Sequence, residues 1–101
     1  MAPLELLILQ TLDAAPNHGF GITLHVQTVS GGLLDVEEGS LYPALHRLEK
    51  EGMLASEWSV TPAARKARFY RLLPAGRKRL AKARERWAET AKGVNRIMRF
   101  A

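Results

Sequence analysis

Gly39-Ser40-Leu41-Tyr42-Pro43-Ala44-Leu45-His46-Arg47-Leu48-Glu49-Lys50-Glu51-Gly52 is the stretch that decides how this 101-residue chain is read. Leu41, Ala44, Leu45 and Leu48 stand at i, i+3, i+4 and i+7, the spacing that lines one helix face with apolar groups. Ser40 is placed to cap this helix and Pro43 to sit in its first turn, where a missing N–H costs nothing. Gly52 closes it. The opposite face carries Pro43, His46, Arg47 and Lys50, flanked by Tyr42. A cation, an imidazole and a phenol on a short polar face suit a helix that reads a nucleic-acid groove. Many solvated helix faces share that look, so the neighbouring segments carry the decision.

Toward the N-terminus, Leu4, Leu7, Ile8 and Thr11-Leu12 recur at helical spacing and predict a first helix over residues 4–14. Pro16-Asn17 breaks it, and Asn17 caps a second helix running to about Ser30. Ile22, Val26 and Val29 form that helix's inner stripe, and Gly31-Gly32 end it. Gly19 and Gly21 near its start imply close backbone packing or a flexible first turn.

Toward the C-terminus, Leu54–Val60 and Arg68–Leu73 mix apolar and polar positions in rough alternation and read as two strands. Residues 61–67 between them form a hairpin tip with basic residues on its far side. Trp58 is expected in the core between hairpin and helices. Three helices followed by a two-stranded hairpin is the order of a winged helix-turn-helix, in which the third helix enters a major groove and the hairpin lays cations along phosphates. From Pro74 to about Phe100 the pattern is helical again. Leu80, Trp87 and Val94 recur every seven residues, with Ala83, Ala91 and Ile97-Met98 between them. At ~1.5 Å per residue such a helix outruns a domain this small, and its stripe calls for a second copy of the chain. The expected fold class is therefore mainly α with a small β-hairpin. Residues 1–73 make a winged helix-turn-helix domain and residues 74–101 a long dimerisation helix.

Charge points the same way. The chain carries a net +5, but residues 1–60 hold only Arg47 and Lys50 against eight acidic residues, whereas Glu85 and Glu89 are the only acidic residues after position 60. The C-terminal part thus faces polyanions such as double-stranded DNA. There is no cysteine, which excludes disulfides and thiolate metal sites and suits a reducing cytoplasm. The apolar run Leu6–Leu9 is too short for a membrane span or an export signal, so a soluble protein with no membrane partner is expected. His18 and His25 lie a heptad apart with no carboxylate cluster, arguing against a metal. No nucleophile elbow, phosphate-binding glycine loop or paired carboxylates occur, and Gly19-x-Gly21 lacks the third glycine of a dinucleotide fingerprint. Neither an enzyme nor a bound cofactor is expected.

Several stretches together resemble the PadR family of bacterial regulators: Leu4–Leu9, His18-Gly19-Phe20-Gly21-Ile22, Gly39–Glu49, Glu51-Gly52, Glu57-Trp58, Phe69-Tyr70-Arg71-Leu72 and Ala75-Gly76-Arg77. They run in the family's order over nearly the whole chain. The chain is similar to the family's short branch, and Val36–Ser40 with the Trp-containing tail resembles an acidobacterial, permease-associated subgroup. The resemblance implies a dimeric DNA-binding repressor released by a ligand or another signal. It places Ser40, Tyr42, Pro43, His46 and Arg47 on the recognition helix and Arg65, Lys66 and Arg68 on the wing. The chain departs from the family pattern in Pro62-Ala63-Ala64 at the wing tip and in Phe20 for a frequent Tyr. At Leu73 a Thr commonly caps the last helix; its absence costs about 1 kcal/mol, partly offset by Pro74.

Each site residue has a competing structural role. Tyr42 can pack its ring against the hairpin base, and Arg47 can pair with Glu51 at i+4. Glu37-Glu38 suit a helix N-terminus. On the C-terminal helix, Leu80, Ala83, Trp87, Ala91, Val94 and Met98 form the expected dimer stripe. Two symmetry-related Trp87 rings would either be core or border a pocket for a small apolar or aromatic effector. The rival to a repressor is a winged-helix scaffold that binds a protein through the same stripe.

Overall fold

The computed structural model describes residues 3–99. Its elements are α1 (Leu4–Ala14), β1 (Asn17–His18), α2 (Gly19–Val29), α3 (Glu38–Lys50), β2 (Leu54–Val60), β3 (Lys66–Leu72) and α4 (Pro74–Met98). Phe100, the expected end of the last helix, lies outside the described residues. The chain is mainly helical with one small antiparallel sheet of strand order β1-β3-β2, a winged helix with a C-terminal helix.

The core is built from the apolar faces of these elements: Ile8, Leu9 and Leu12 of α1, Ile22 and Val26 of α2, four residues of α3, and Leu54, Tyr70, Leu72 and Leu80. Leu41, Leu45 and Leu48 of α3 are wholly buried, as the i, i+4, i+7 spacing requires. Burying each contributes about 1.5–3 kcal/mol. Val36 also enters the core, and it draws the preceding chain inward so that α3 begins at Glu38 with Glu37 as N-cap. Ser40 is therefore the third helical residue and not the cap. Pro43 falls in the second turn, where it deprives the Gly39 carbonyl of its helical donor. Both helix ends expected at glycine are found. Gly32 N–H donates to Gln27 O at 2.8 Å, and Met53 N–H to Leu48 O at 2.9 Å, around left-handed Gly31 (φ +66°) and Gly52 (φ +79°).

Asn17 does not cap α2. Asn17 and His18 are extended and pair with Tyr70 and Phe69 as a two-residue strand, so the helix starts one residue later. His18 is the cap: its Nδ1 accepts the Gly21 N–H at 3.0 Å, while Asn17 Oδ1 accepts the His18 N–H at 2.9 Å. The glycines here serve close packing, since a Cβ on Gly21 would strike Asn17 Oδ1. Val29 is 71% exposed, because α2 runs past its last core residue, Val26.

β2 and β3 pair from Leu54↔Leu72 to Val60↔Lys66. Leu54, Ser56 and Trp58 share one face with Arg68, Tyr70 and Leu72. That face is buried at Leu54, Tyr70 and Leu72 and opens toward the tip, so Trp58 is 60% exposed. The expectation of Trp58 in the core is corrected: the hairpin extends beyond the body it packs on.

α4 begins at Pro74, with Leu73 as its N-cap and no side-chain cap hydrogen bond. Its N-terminal part belongs to the body. Leu80 is 2% exposed within the core, and Arg77 and Arg84 both pair with Asp13 of α1. Leu80 is thus not available to a dimer stripe, because α1 and the core already cover it. Beyond Arg84 every described residue is exposed except half-buried Thr90 and Ala91.

Candidate nucleic-acid interface

α3 presents its outer face to solvent. Ser40, Pro43, His46, Arg47 and Lys50 are all exposed. Tyr42 and His46 line one side of an open cleft of about 1100 Å³, with Trp58, Arg65 and Lys66 of the hairpin on the other. Gly19, Phe20, Gly21 and Leu24 of α2 also line the cleft. Tyr42, His46 and Glu49 of α3 and the basic hairpin tip therefore border one concave surface, while Ser40, Pro43, Arg47 and Lys50 lie outside its lining.

The hairpin tip, whose path the residue pattern left open, is a tight turn held from within. Thr61 N–H donates to Arg65 O at 2.8 Å and Ala64 N–H to Thr61 O at 2.9 Å. The Arg65 N–H donates to Thr61 Oγ1 at 3.2 Å. Ala64 takes the left-handed conformation (φ 61°), which a side chain adopts only at a cost. Arg65 and Lys66 are exposed and make no ion pair among the described residues. Their charge faces water and is open to an anion.

The other cations named from the sequence are differently placed. Arg47 Nη1 lies 3.1 Å from Glu5 Oε1 and 3.6 Å from Glu51 Oε1. Arg79 of α4 grips the same two carboxylates, at 3.5 and 2.5 Å. The four side chains tie α1, α3 and α4 together, and none of them lines the cleft. The Arg79 guanidinium, hydrogen-bonded to Glu51, holds the Glu51 carboxyl below its ordinary value. Arg68 turns inward. Its Nε donates to Ser56 Oγ at 2.7 Å, its Nη2 lies 3.7 Å from Glu49 Oε2, and its guanidinium carbon lies 5.7 Å from the Trp58 ring centroid.

Tyr42 is 38% exposed, and its ring packs over Gly19. Buried Tyr70 beneath it has its hydroxyl pKa raised, first by burial and then by the Glu49 charge. His18 is edge-on to Phe69, with ring centroids 5.0 Å apart. Sequence reasoning missed Glu49 and Ser56. Only the pairing register, which sets Trp58 opposite Arg68, brings them to one point. Of the residues named on α4, Ala83 and Ala91 are half-buried, while Trp87, Val94 and Met98 are exposed at 46%, 52% and 57%.

A helix exposed beside a basic hairpin on a three-helix body defines the winged helix-turn-helix class. Residues 8–82 match the model of the Transcriptional regulator PadR-like family, and the chain belongs to that family. It is 43% identical over 81 residues to Transcriptional regulator Rv3488 of Mycobacterium tuberculosis, covering 80% of this chain and 74% of that one. A transcriptional regulator from Clostridium thermocellum superposes with a TM-score of 0.83 at 28% identity, over 93% of this chain and 88% of that one. Bacillus subtilis PadR, solved in complex with operator DNA, shares the fold with a TM-score of 0.70 at 22% identity, over 80% of this chain and 46% of that one. The expected family is thus the observed one. Among the described residues no helix is long and apolar enough to cross a membrane.

Proposed function

We propose that the protein is a DNA-binding transcription repressor that acts as a homodimer on a two-fold symmetric operator. The observation that carries this reading is the shared cleft: exposed α3 borders one surface with Arg65 and Lys66, cations without an ion pair among the described residues. Ser40, Pro43, His46 and the outward part of Arg47 meet base edges and nearby phosphates, with Tyr42 at the cleft wall. Arg65 and Lys66 meet the phosphate backbone. Support also comes from the family and from the fold shared with a PadR solved on operator DNA. A repressor of chromosomal genes works in the cytoplasm, and nothing in this reading involves chemistry on a substrate.

In this account residues 1–73 form the DNA-binding unit and the helix from residue 74 onward joins two copies. Ala83, Trp87, Ala91, Val94 and Met98 form the contact stripe, with Leu80 left to the core. The support is the exposure of three of them: a single chain leaves Trp87, Val94 and Met98 partly in water, and a symmetric second copy would cover them. An apolar or aromatic effector bordered by the two Trp87 rings would alter the spacing of the recognition helices and release the operator.

Selection from a pool of random duplexes tests the reading. Enrichment of a two-fold symmetric sequence with half-sites about one helical turn apart is expected. An unenriched pool contradicts it and favours a scaffold that uses the α4 stripe to bind a protein.

A further inference from the structure

We propose that Glu49 is a positioning residue. With Ser56 and Arg68 it forms a latch that fixes the wing against the recognition helix, so Arg68 acts through wing position and not as a phosphate contact. The proposal rests on the DNA-binding reading above, although the latch itself is testable without DNA.

Three elements meet in the latch. Glu49, on the last turns of α3, accepts through Oε2 from Ser56 Oγ of β2. The same oxygen lies 3.7 Å from Arg68 Nη2 of β3, and Arg68 Nε donates to Ser56 Oγ at 2.7 Å. The Arg68 guanidinium also covers Trp58, directly opposite it in the register. Position along the hairpin gives the cluster its leverage. The inner face of the sheet is apolar and buried at Leu54, Tyr70 and Leu72, and it leaves the core at Ser56. The latch is thus the last tie between hairpin and body before the exposed indole and the tip. Whatever angle it sets is carried to Arg65 and Lys66, which have no ion pairs of their own among the described residues.

Charge supports the same assignment. A free carboxylate on the recognition helix would repel phosphates, and Arg68 neutralises it. Nε and Nη2 are both committed to this task, whereas Arg65 and Lys66 are not.

The test has two arms. Without DNA, in Trp87→Phe protein, Trp58 is the sole tryptophan fluorophore. Glu49→Ala should make its emission more quenchable by acrylamide as the Arg68 cover loosens. Unchanged quenching overturns the latch, whatever the protein binds. With the selected duplex, the otherwise wild-type Glu49→Ala and Arg68→Ala variants should each weaken binding about tenfold, and the double variant no further than either single one. The salt slope of Arg68→Ala should equal that of the wild type. A slope lowered by about 0.9, a gain in affinity for Glu49→Ala, or multiplied losses in the double variant would overturn the proposal and make Arg68 a phosphate contact. Failure of the unaltered protein to prefer any duplex would sink the DNA reading alone.

Discussion

Gly19 lies beneath the ring of Tyr42: a Cβ at position 19 would stand 2.5 Å from Tyr42 Oη and 2.7 Å from two ring carbons. The first residue of α2 thus seats a side chain of α3, and the angle between the two helices depends on a missing methyl group. Gly19→Ala should destabilise the protein by about 1–3 kcal/mol, as overpacking does. Urea unfolding measures this. In Tyr42→Ala protein the same substitution should cost less than about 0.5 kcal/mol; an equal cost in both backgrounds would show that the ring is not the obstacle.

At the wing tip, Ala64 holds a left-handed conformation that glycine adopts freely. Ala64→Gly should raise stability by about 1 kcal/mol, because the strain removed exceeds the added chain entropy. A lower urea midpoint for the variant would mean that the turn is not strained in solution.

The Glu51–Arg79 pair gives a pH dependence of known sign. Arg79 lowers the Glu51 pKa below 4.5, so the contribution is present above that value and is lost as pH falls through the lower folded value. The stability gap between wild type and Arg79→Met should stay constant above about pH 5.5 and close in acid. A gap that widens in acid would contradict the pairing.

On α4, two neighbours in the heptad pattern should behave oppositely. Leu80→Ala should cost about 2–5 kcal/mol of folding stability, since Leu80 is core. Trp87→Glu should leave the fold intact and separate the copies. Sedimentation equilibrium should then give 11.2 kDa for the variant and twice that for the wild type. A monomeric wild type would remove the dimer from the account.

Replacing Arg65 and Lys66 with Ala should reduce the negative salt slope of DNA binding by about 0.9 for each phosphate that either side chain had neutralised. Titrations of labelled duplex at several salt concentrations give the slope directly. An unaltered slope would take the wing tip off the DNA.

Most of the architecture was legible because it rests on periodicity: the Leu41–Leu48 spacing, the glycine stops at Gly31-Gly32 and Gly52, and the alternation of the hairpin. What was not legible depends on where each pattern stops meeting the body. β1 is two residues long, too short to show alternation, and only its pairing with Phe69 and Tyr70 reveals it. Trp58 and Leu80 each sit in the right pattern, yet the hairpin outruns the core at Trp58 while α4 is still on it at Leu80. In the candidate site, ion pairing separates Arg47 and Arg68 from Arg65 and Lys66, which make none among the described residues. All four are arginine or lysine in the sequence; the i+4 spacing already offered Glu51 to Arg47, but only the folded chain brings Glu5 to Arg47 and Glu49 to Arg68.

The most direct measurement is fluorescence anisotropy of a labelled duplex from the gene's own upstream region against a scrambled duplex, over a salt series. The account predicts tight binding at about 150 mM salt with at least a thousandfold preference for the native duplex. Equal, weak binding to both duplexes that vanishes as salt rises would be phosphate attraction alone, and would contradict it.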